Sequence, residues 1–473
     1  MNYRLLIFPV LLIVIDLFFG FEVYSNDTLG IISIAKELNP KDISTYYNGV
    51  YPPGYIFIIA ILLKTNLNLA FALKTLNYLF LTFFSITAYL GLRNYIRIIP
   101  FIISTTAAIL LSKVFLINLI SAGSYPLYLF LGTFGIIFFF CKEEEYFNLS
   151  LLSLVLSTII RNEGIILILS IFISTVILKS NRRRIIGSLL ALLASILILL
   201  LFNYLGTGAI SSNNHNFLFE EPNWVRVQPD FVFNRYSIKE FFEFYFSNLF
   251  FHWYYLICLV LFALYFKELR ILIFSLVIFF LLIKLHPSPR GIFILIPFTF
   301  ILLGVAIDNL KRIQKILLLV FLSPVFAFYS LNNYYSIRRK QIDIQTYNQI
   351  GNFIGKTDPN WEIQNLFTNN FDFYLEEKLP NLARVNGGWA KLTPRYYENN
   401  PNLTLNKLAD FSNEIDSLKI EYVLIDLFML DRTIYTKGEI NTLSSLDTSD
   451  RFQLIFEFDS RYKLYRVSDR KLR

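Results

Sequence analysis

Residues 22–55 read EVYSNDTLGIISIAKELNPKDISTYYNGVYPPGY. This polar stretch separates a first apolar segment, Leu5–Phe21, from a second apolar run, Tyr55–Leu63. Asp27 falls six residues after the first segment ends, which places it at the membrane surface. Tyr51-Pro52-Pro53-Gly54 closes the stretch with a rigid turn, because each proline ring fixes its own φ. An acid at the water–lipid boundary followed by such a turn has the layout of an active-site entrance. An ordinary loop, with Asp27 capping a helix that begins near Thr28, fits the same residues. The second run decides the topology. Its nine residues are too few to cross a bilayer, which takes about 20. If the run dips in and returns, or lies in the interface, every later segment keeps one orientation; if it spans, every later segment is inverted.

The rest of the chain allows that choice to be made. Of 473 residues, 55% are hydrophobic and only 16% charged, the composition of an integral membrane protein. No small-x-small cleavage site follows Leu5–Phe21, so the segment reads as a retained anchor. Asp16 inside it should face other helices rather than lipid. With the short run not spanning, about eleven spans follow: 5–21, 69–92, 98–117, 124–141, 147–160, 164–179, 185–204, 248–266, 271–285, 291–308 and 316–332. Placing the N-terminus inside puts Arg4, Arg93, Arg97, Lys142, Lys179, Arg182, Arg183, Arg184, Lys267, Arg270, Lys311, Arg312 and Lys315 at inner ends, as the positive-inside rule asks. With 12–13 spans the clusters after the short run would move outside. Arg338, Arg339 and Lys340 run against the pattern, following the last span on the outer side. The net charge of +8 is spread along the chain rather than gathered in one stripe, which argues against a nucleic-acid partner. Cys141 and Cys258 form no disulfide framework or zinc-ligand spacing, and no fixed-period repeat is present.

This topology collects the notable polar residues on one face. The Asp27 loop is outside, and so are the junction Arg161-Asn162-Glu163-Gly164, the long loop Leu205–Asn248 and the turn His286-Pro287-Ser288-Pro289-Arg290. The long loop carries Trp224 and Arg226. Ile238–Trp253 after it reads as an aromatic interfacial helix. His215, His252 and His286 are scattered, as solvated or structural histidines are. From about Gln341 the composition becomes that of a soluble domain. Helices are expected over Ile342–Gly355 and Leu405–Leu418, with strands at Glu362–Thr368, Ile420–Asp426, Phe452–Asp459 and Tyr462–Val467. The last two strands, separated by Ser460-Arg461, read as a hairpin. The expected fold is thus mainly α: a polytopic transmembrane helix bundle over 1–340 and a small α/β domain over 341–473.

Four places resemble the GT-C class of membrane glycosyltransferases, which includes protein O-mannosyltransferases and lipid A aminoarabinose transferases. They are Asp27 with Ile34-Ala35, Tyr51-Pro52-Pro53-Gly54-Tyr55, Arg161-Asn162-Glu163-Gly164, and the last outer turn with His286 and Arg290 before a run containing Pro297. The likeness covers the membrane part and, more loosely, the C-terminal domain. It implies a glycosyltransferase of the cell membrane, with its active site and C-terminal domain extracytoplasmic. A sugar held on a polyprenyl phosphate would pass to a lipid, glycan or protein acceptor. Asp27 would be the catalytic residue, and Tyr51, Pro52, Pro53, Arg161, Glu163, His286 and Arg290 would line the substrate site. No cofactor motif is present; the resemblance admits a divalent cation. One departure bears on that point: Ser124-Tyr125-Pro126-Leu127 sits where many members carry an acid before the proline, and a phenol does not replace a carboxylate as base or metal ligand.

The chemistry agrees with these residue types. A lipid-linked donor needs no nucleotide-binding glycine loop, and the outer segments contain none. It needs cations for the leaving phosphate, and a guanidinium can clamp phosphate with two parallel bonds. Arg161 and Arg290 suit that role. Equally, Arg161 could pair with Glu163 or a lipid headgroup, and Arg290 could snorkel. A polymerase or ligase of surface polysaccharide would also use outer arginines. A polytopic transporter would favour mid-membrane charges and inverted repeats, and a membrane scaffold with a folded outer domain is a third rival.

Overall fold

The computed structural model describes residues 7–19, 26–36, 52–65, 67–94, 96–111, 123–141, 146–207, 273–278, 304–305, 307–317, 345–346, 348–353, 366–368, 408–417, 420–427, 437–458 and 461–468, with isolated positions at 281, 320, 331, 334–335 and 356. The chain divides into two compact units. One comprises Met1–His215 with Phe233–Ile337, and the other Asn216–Val232 with Arg338–Arg473.

The first unit is helical. Its main described helices are α1 (Ile7–Phe19), α2 (Asn26–Lys36), α3 (Pro53–Leu63), α4 (Leu69–Leu92), α5 (Ile98–Leu111), α6 (Tyr125–Cys141), α7 (Phe147–Ile160), α8 (Gly164–Ile177) and α9 (Arg182–Thr207). Among the described residues, Leu69–Leu92 and Arg182–Phe202 are long and apolar enough to cross a membrane; the other apolar helices are shorter. α3 is an 11-residue helix, about 16 Å at 1.5 Å per residue, half a bilayer's hydrocarbon depth. It packs on α2 and on α7 rather than standing alone.

Helix starts and faces follow from local sequence. The Asn68 side chain accepts a hydrogen bond from Phe71 N at 3.1 Å and so caps α4. Leu73, Asn77, Leu81, Ser85 and Ala88 then recur at helical spacing as its buried stripe. α9 buries Gly187, Ala191 and Ser195, one small residue per turn, and exposes Leu190, Leu193, Leu197 and Leu201. Small residues let helix backbones approach closely where lipid, not water, surrounds the bundle. The Ser153 hydroxyl reaches from α7 to the Leu131 carbonyl on α6 at 2.8 Å, and Thr175 of α8 meets Ser188 of α9 at 3.4 Å. A Cβ on Gly91 would lie 2.0 Å from Ile137 Cγ2, and one on Gly135 would lie 3.1 Å from the Ser150 carbonyl.

These contacts alternate the helix directions and give the bundle two distinct ends. At one end, the C-termini of α4 and α6 meet the N-termini of α7 and α9. Arg183 lies over Phe147 at 5.3 Å and Arg184 over Phe139 at 5.7 Å. Arg97 follows α4 and grips Asp308 with Nε and Nη2 at 2.9 and 2.8 Å, while its backbone N–H donates to the same carboxylate at 2.9 Å. Lys315 donates to the Asp308 carbonyl at 3.1 Å. Basic groups scattered over more than 200 residues of sequence therefore gather at one end. The opposite end, where α6 begins and α7 stops, carries the Arg161 junction.

The second unit holds a four-stranded sheet in the order β1–β2–β4–β3. β1 (Leu366–Thr368) runs parallel to β2 (Tyr422–Asp426), whereas β4 (Tyr462–Val467) is antiparallel to both β2 and β3 (Phe452–Phe458). The parallel pair requires a crossover, and α10 (Leu408–Ser417) lies between the two strands in sequence. Phe367, Phe411, Ile415, Val423, Leu443 and Tyr465 form its core together with α11 (Lys437–Ser444). Asp426, fully buried, takes two 2.9 Å bonds from Arg461 in the hairpin turn.

Candidate functional site

The Pro-Pro turn forms the start of α3. Pro52 is extended, and Pro53 occupies the first helical turn, where a missing N–H costs nothing. Gly54 allows this turn to press on the last turn of α7. A Cβ there would meet the Ile159 carbonyl at 2.9 Å and Ile160 Cδ1 at 2.7 Å. The structure thus brings together two motifs about a hundred residues apart in sequence.

The junction between α7 and α8 is a sharp turn. Arg161 is extended, with φ −150° and ψ 135°, and its carbonyl accepts from Gly164 N at 2.9 Å. A Cβ on Gly164 would sit 2.6 Å from both the nitrogen and the Cα of Thr158, so only glycine fits. Arg161 and Glu163 then face each other. Nη2 lies 2.7 Å from Oε1, and Nε lies 3.3 and 3.2 Å from Oε1 and Oε2. Nη1 donates to Ser124 Oγ at 3.1 Å, and the guanidinium carbon stands 3.8 Å above the Tyr125 ring. The side chains of Arg161 and Glu163 are only 16% and 9% exposed. Ion pair, hydroxyl and aromatic face together tie the start of α6 to the α7–α8 turn.

The residue before Ser124 is held as well. Fully buried Asn77 faces the Gly123 backbone; with the amide turned so that its nitrogen donates to the carbonyl and its oxygen accepts from the N–H, both contacts measure 3.2 Å. Tyr128, one turn into α6, is buried within electrostatic reach of Glu163 and Arg161. Sequence reasoning saw Arg161, Glu163 and Gly164 but missed Asn77, Gly123 and Tyr128, and read Ser124-Tyr125 only as a lost acid. No spacing rule pairs residues 37 positions apart; the only signal available was a buried arginine that needs partners.

Asp27 is the second residue of α2, so its negative charge sits at a helix N-terminus, where the macrodipole favours it. The helix begins at Asn26, two residues before the expected start; the Asp27 side chain itself is outside the described residues. Tyr51, His286 and Arg290 also lie outside the described residues, as do His215, His252 and the loop from 208 to 248. Among the described residues no three His, Cys, Asp or Glu side chains cluster, and the carboxylate at this end, Glu163, is taken up by a guanidinium.

No protein-family model matches the sequence, and no curated protein matches it. Solved structures do. The oligosaccharyltransferase of Archaeoglobus fulgidus, crystallised with Zn and sulfate, superposes with a TM-score of 0.53 at 12% identity, over 92% of this chain and 68% of that one. Archaeal oligosaccharyltransferase AglB from Archaeoglobus fulgidus, in complex with an inhibitory peptide and a dolichol-phosphate, gives a TM-score of 0.54 at 12% identity, over 100% and 75%. This chain shares the fold of these oligosaccharyltransferases, a GT-C fold.

Proposed function

We propose that the chain is a multi-pass glycosyltransferase of the cell membrane that moves a sugar from a polyprenyl-phosphate donor to an acceptor hydroxyl on the outer face. One observation carries the reading: the Pro-Pro-Gly start of α3 packs against the last turn of α7, which runs into the Arg161–Glu163 junction, at the bundle end opposite the basic clusters, within a GT-C fold. The dolichol-phosphate and peptide in the AglB complex support a lipid-linked donor and a protein acceptor.

In this reading the acceptor oxygen attacks the anomeric carbon as the bond from that carbon to the phosphate oxygen breaks. The acceptor proton passes to Asp27, the electron pair leaves with the polyprenyl phosphate, and the anomeric configuration inverts. Arg290, four residues after His286 in the sequence, receives the phosphate. Arg161 is already committed to Glu163, Ser124 and Tyr125, so it flanks the donor and shapes the entrance rather than acting as the main clamp. Pro52 and Pro53, which follow Tyr51 in the sequence, form the rigid lip on the acceptor side.

The test is transfer of radiolabelled sugar from a polyprenyl-phosphate donor in proteoliposomes holding only this protein. Transfer by the wild type is expected. Asp27→Asn should lower turnover by about 10²–10⁴-fold, the usual contribution of a general base. Uptake of sugar without bond formation would identify a transporter, and stepwise extension of a glycan chain would identify a polymerase. Turnover of Asp27→Asn within a few-fold of wild type would remove the base from that position.

A further inference from the structure

We infer that the buried hydroxyl of Tyr128 is a contact for a hydroxyl group of the transferred sugar ring, an assignment that rests on the glycosyl-transfer reading above. Tyr128 is 1% exposed, and its phenol oxygen has no hydrogen-bond partner among the described residues. A buried polar group without a partner is unfavourable and calls for a reason. Its place supplies one. The Tyr128 backbone N–H donates to the Ser124 carbonyl at 3.2 Å, so the two residues stand one above the other on the same face of α6. Ser124 is where Arg161 docks. Tyr128 therefore stands one helical turn from the point where the α7–α8 turn docks, and it lies within reach of both charges of the Arg161–Glu163 pair.

A second unmatched atom lies in the same turn. Asn162 Oδ1 is buried with no partner among the described residues, while Arg161 and Asn162 as whole residues are partly exposed, so the junction itself reaches the surface. A phenol that can donate and an amide oxygen that can only accept are complementary to a hydroxyl, which does both. The local charge points the same way. Arg161 and Glu163 cancel, and a phosphate entering here would meet the Glu163 carboxylate. A neutral, hydroxyl-bearing ring meets no such penalty. This end of α6 accordingly suits the sugar, not the phosphate end of the donor.

The experiment compares wild type and Tyr128→Phe in proteoliposomes, using polyprenyl-phosphate glucose and mannose and the monodeoxy forms of whichever sugar the wild type transfers. Removing one hydrogen bond should raise the donor KM about tenfold. One monodeoxy donor should be penalised similarly by the wild type and not further by Tyr128→Phe, because the two changes delete the same contact. In the absence of donor, Tyr128→Phe should unfold at no lower temperature than the wild type. A lowered unfolding temperature would mean the hydroxyl already serves the fold, and would overturn the assignment. So would an unchanged KM with every deoxy penalty intact while the wild type is active; that result leaves the transferase reading standing. Absence of transfer of either sugar by the wild type would count against the transferase reading itself, and this assignment would fall with it.

Discussion

Asp447 is a carboxylate held between a cation and a tyrosine; Glu163, in the other unit, faces a cation that itself rests on a tyrosine. Glu163 faces Arg161, which rests on Tyr125, and the pair is nearly closed off from solvent. Asp447 accepts from the Tyr465 hydroxyl at 2.7 Å and pairs with Lys463, with 40% of its side chain exposed. Partial burial raises the Asp447 pKa, but the hydrogen bonds from Lys463 and Tyr465 and the Lys463 charge outweigh it and hold the carboxyl below its ordinary value. Burial first, and then the bond to Asp447, push the Tyr465 phenol upward. A carboxylate whose pKa is depressed by folding stabilises the fold at every pH above the unfolded value, about 3.9, and that contribution disappears as pH falls through the lower folded value. Amide hydrogen exchange in β3 and β4 of the full chain should therefore quicken as pH drops below about 4, after correction for intrinsic exchange. In Asp447→Asn that extra acid sensitivity should be absent. An identical acid dependence in the variant would assign the loss to other carboxylates.

At the scale of elements, turns and close approaches matter more than helix interiors. Gly164→Ala tests this. The added methyl would meet backbone atoms of Thr158, not a movable side-chain tip, and overpacking of this kind costs about 1–3 kcal/mol. The expected result is a clear drop in the unfolding temperature in detergent, together with loss of transfer activity. An unfolding temperature equal to that of the wild type would show that the junction relaxes freely. Several elements were legible in the sequence. α4 and α7 coincide with the segments 69–92 and 147–160, and the Tyr55–Leu63 run is a short helix packed on its neighbours. Strands β2, β3 and β4 fall on the expected stretches, because apolar alternation and turn residues are local signals. The Arg161-x-Glu-Gly turn could be read for the same reason. Its docking on Ser124, the Asn77–Gly123 clasp and the press of Gly54 on α7 could not, since each joins helices that only the tertiary fold makes neighbours.

For the whole molecule, the gathering of Arg97, Arg183, Arg184 and Lys315 at one end of the bundle and of Arg161 at the other makes sidedness a single binary question. Reporter fusions after Gly187 and after Lys356 should report opposite sides, the first cytoplasmic and the second outside. Both reporters on one side would end the assignment of an outer face shared by the C-terminal domain and the Arg161 junction. The Arg97–Asp308 clasp carries a separate consequence, for synthesis. Its two halves are 211 residues apart, and a ribosome adding roughly 5–20 residues per second takes on the order of 10–40 s to travel between them. During that interval Arg97 has no Asp308 to grip. Its side chain is 77% exposed even in the finished protein, so waiting forces no buried charge on the early helices. The early helices can enter the membrane and pack while synthesis continues, and the clasp closes only when the later helices arrive. Slowing translation between these points should prolong the half-built intermediate without trapping it.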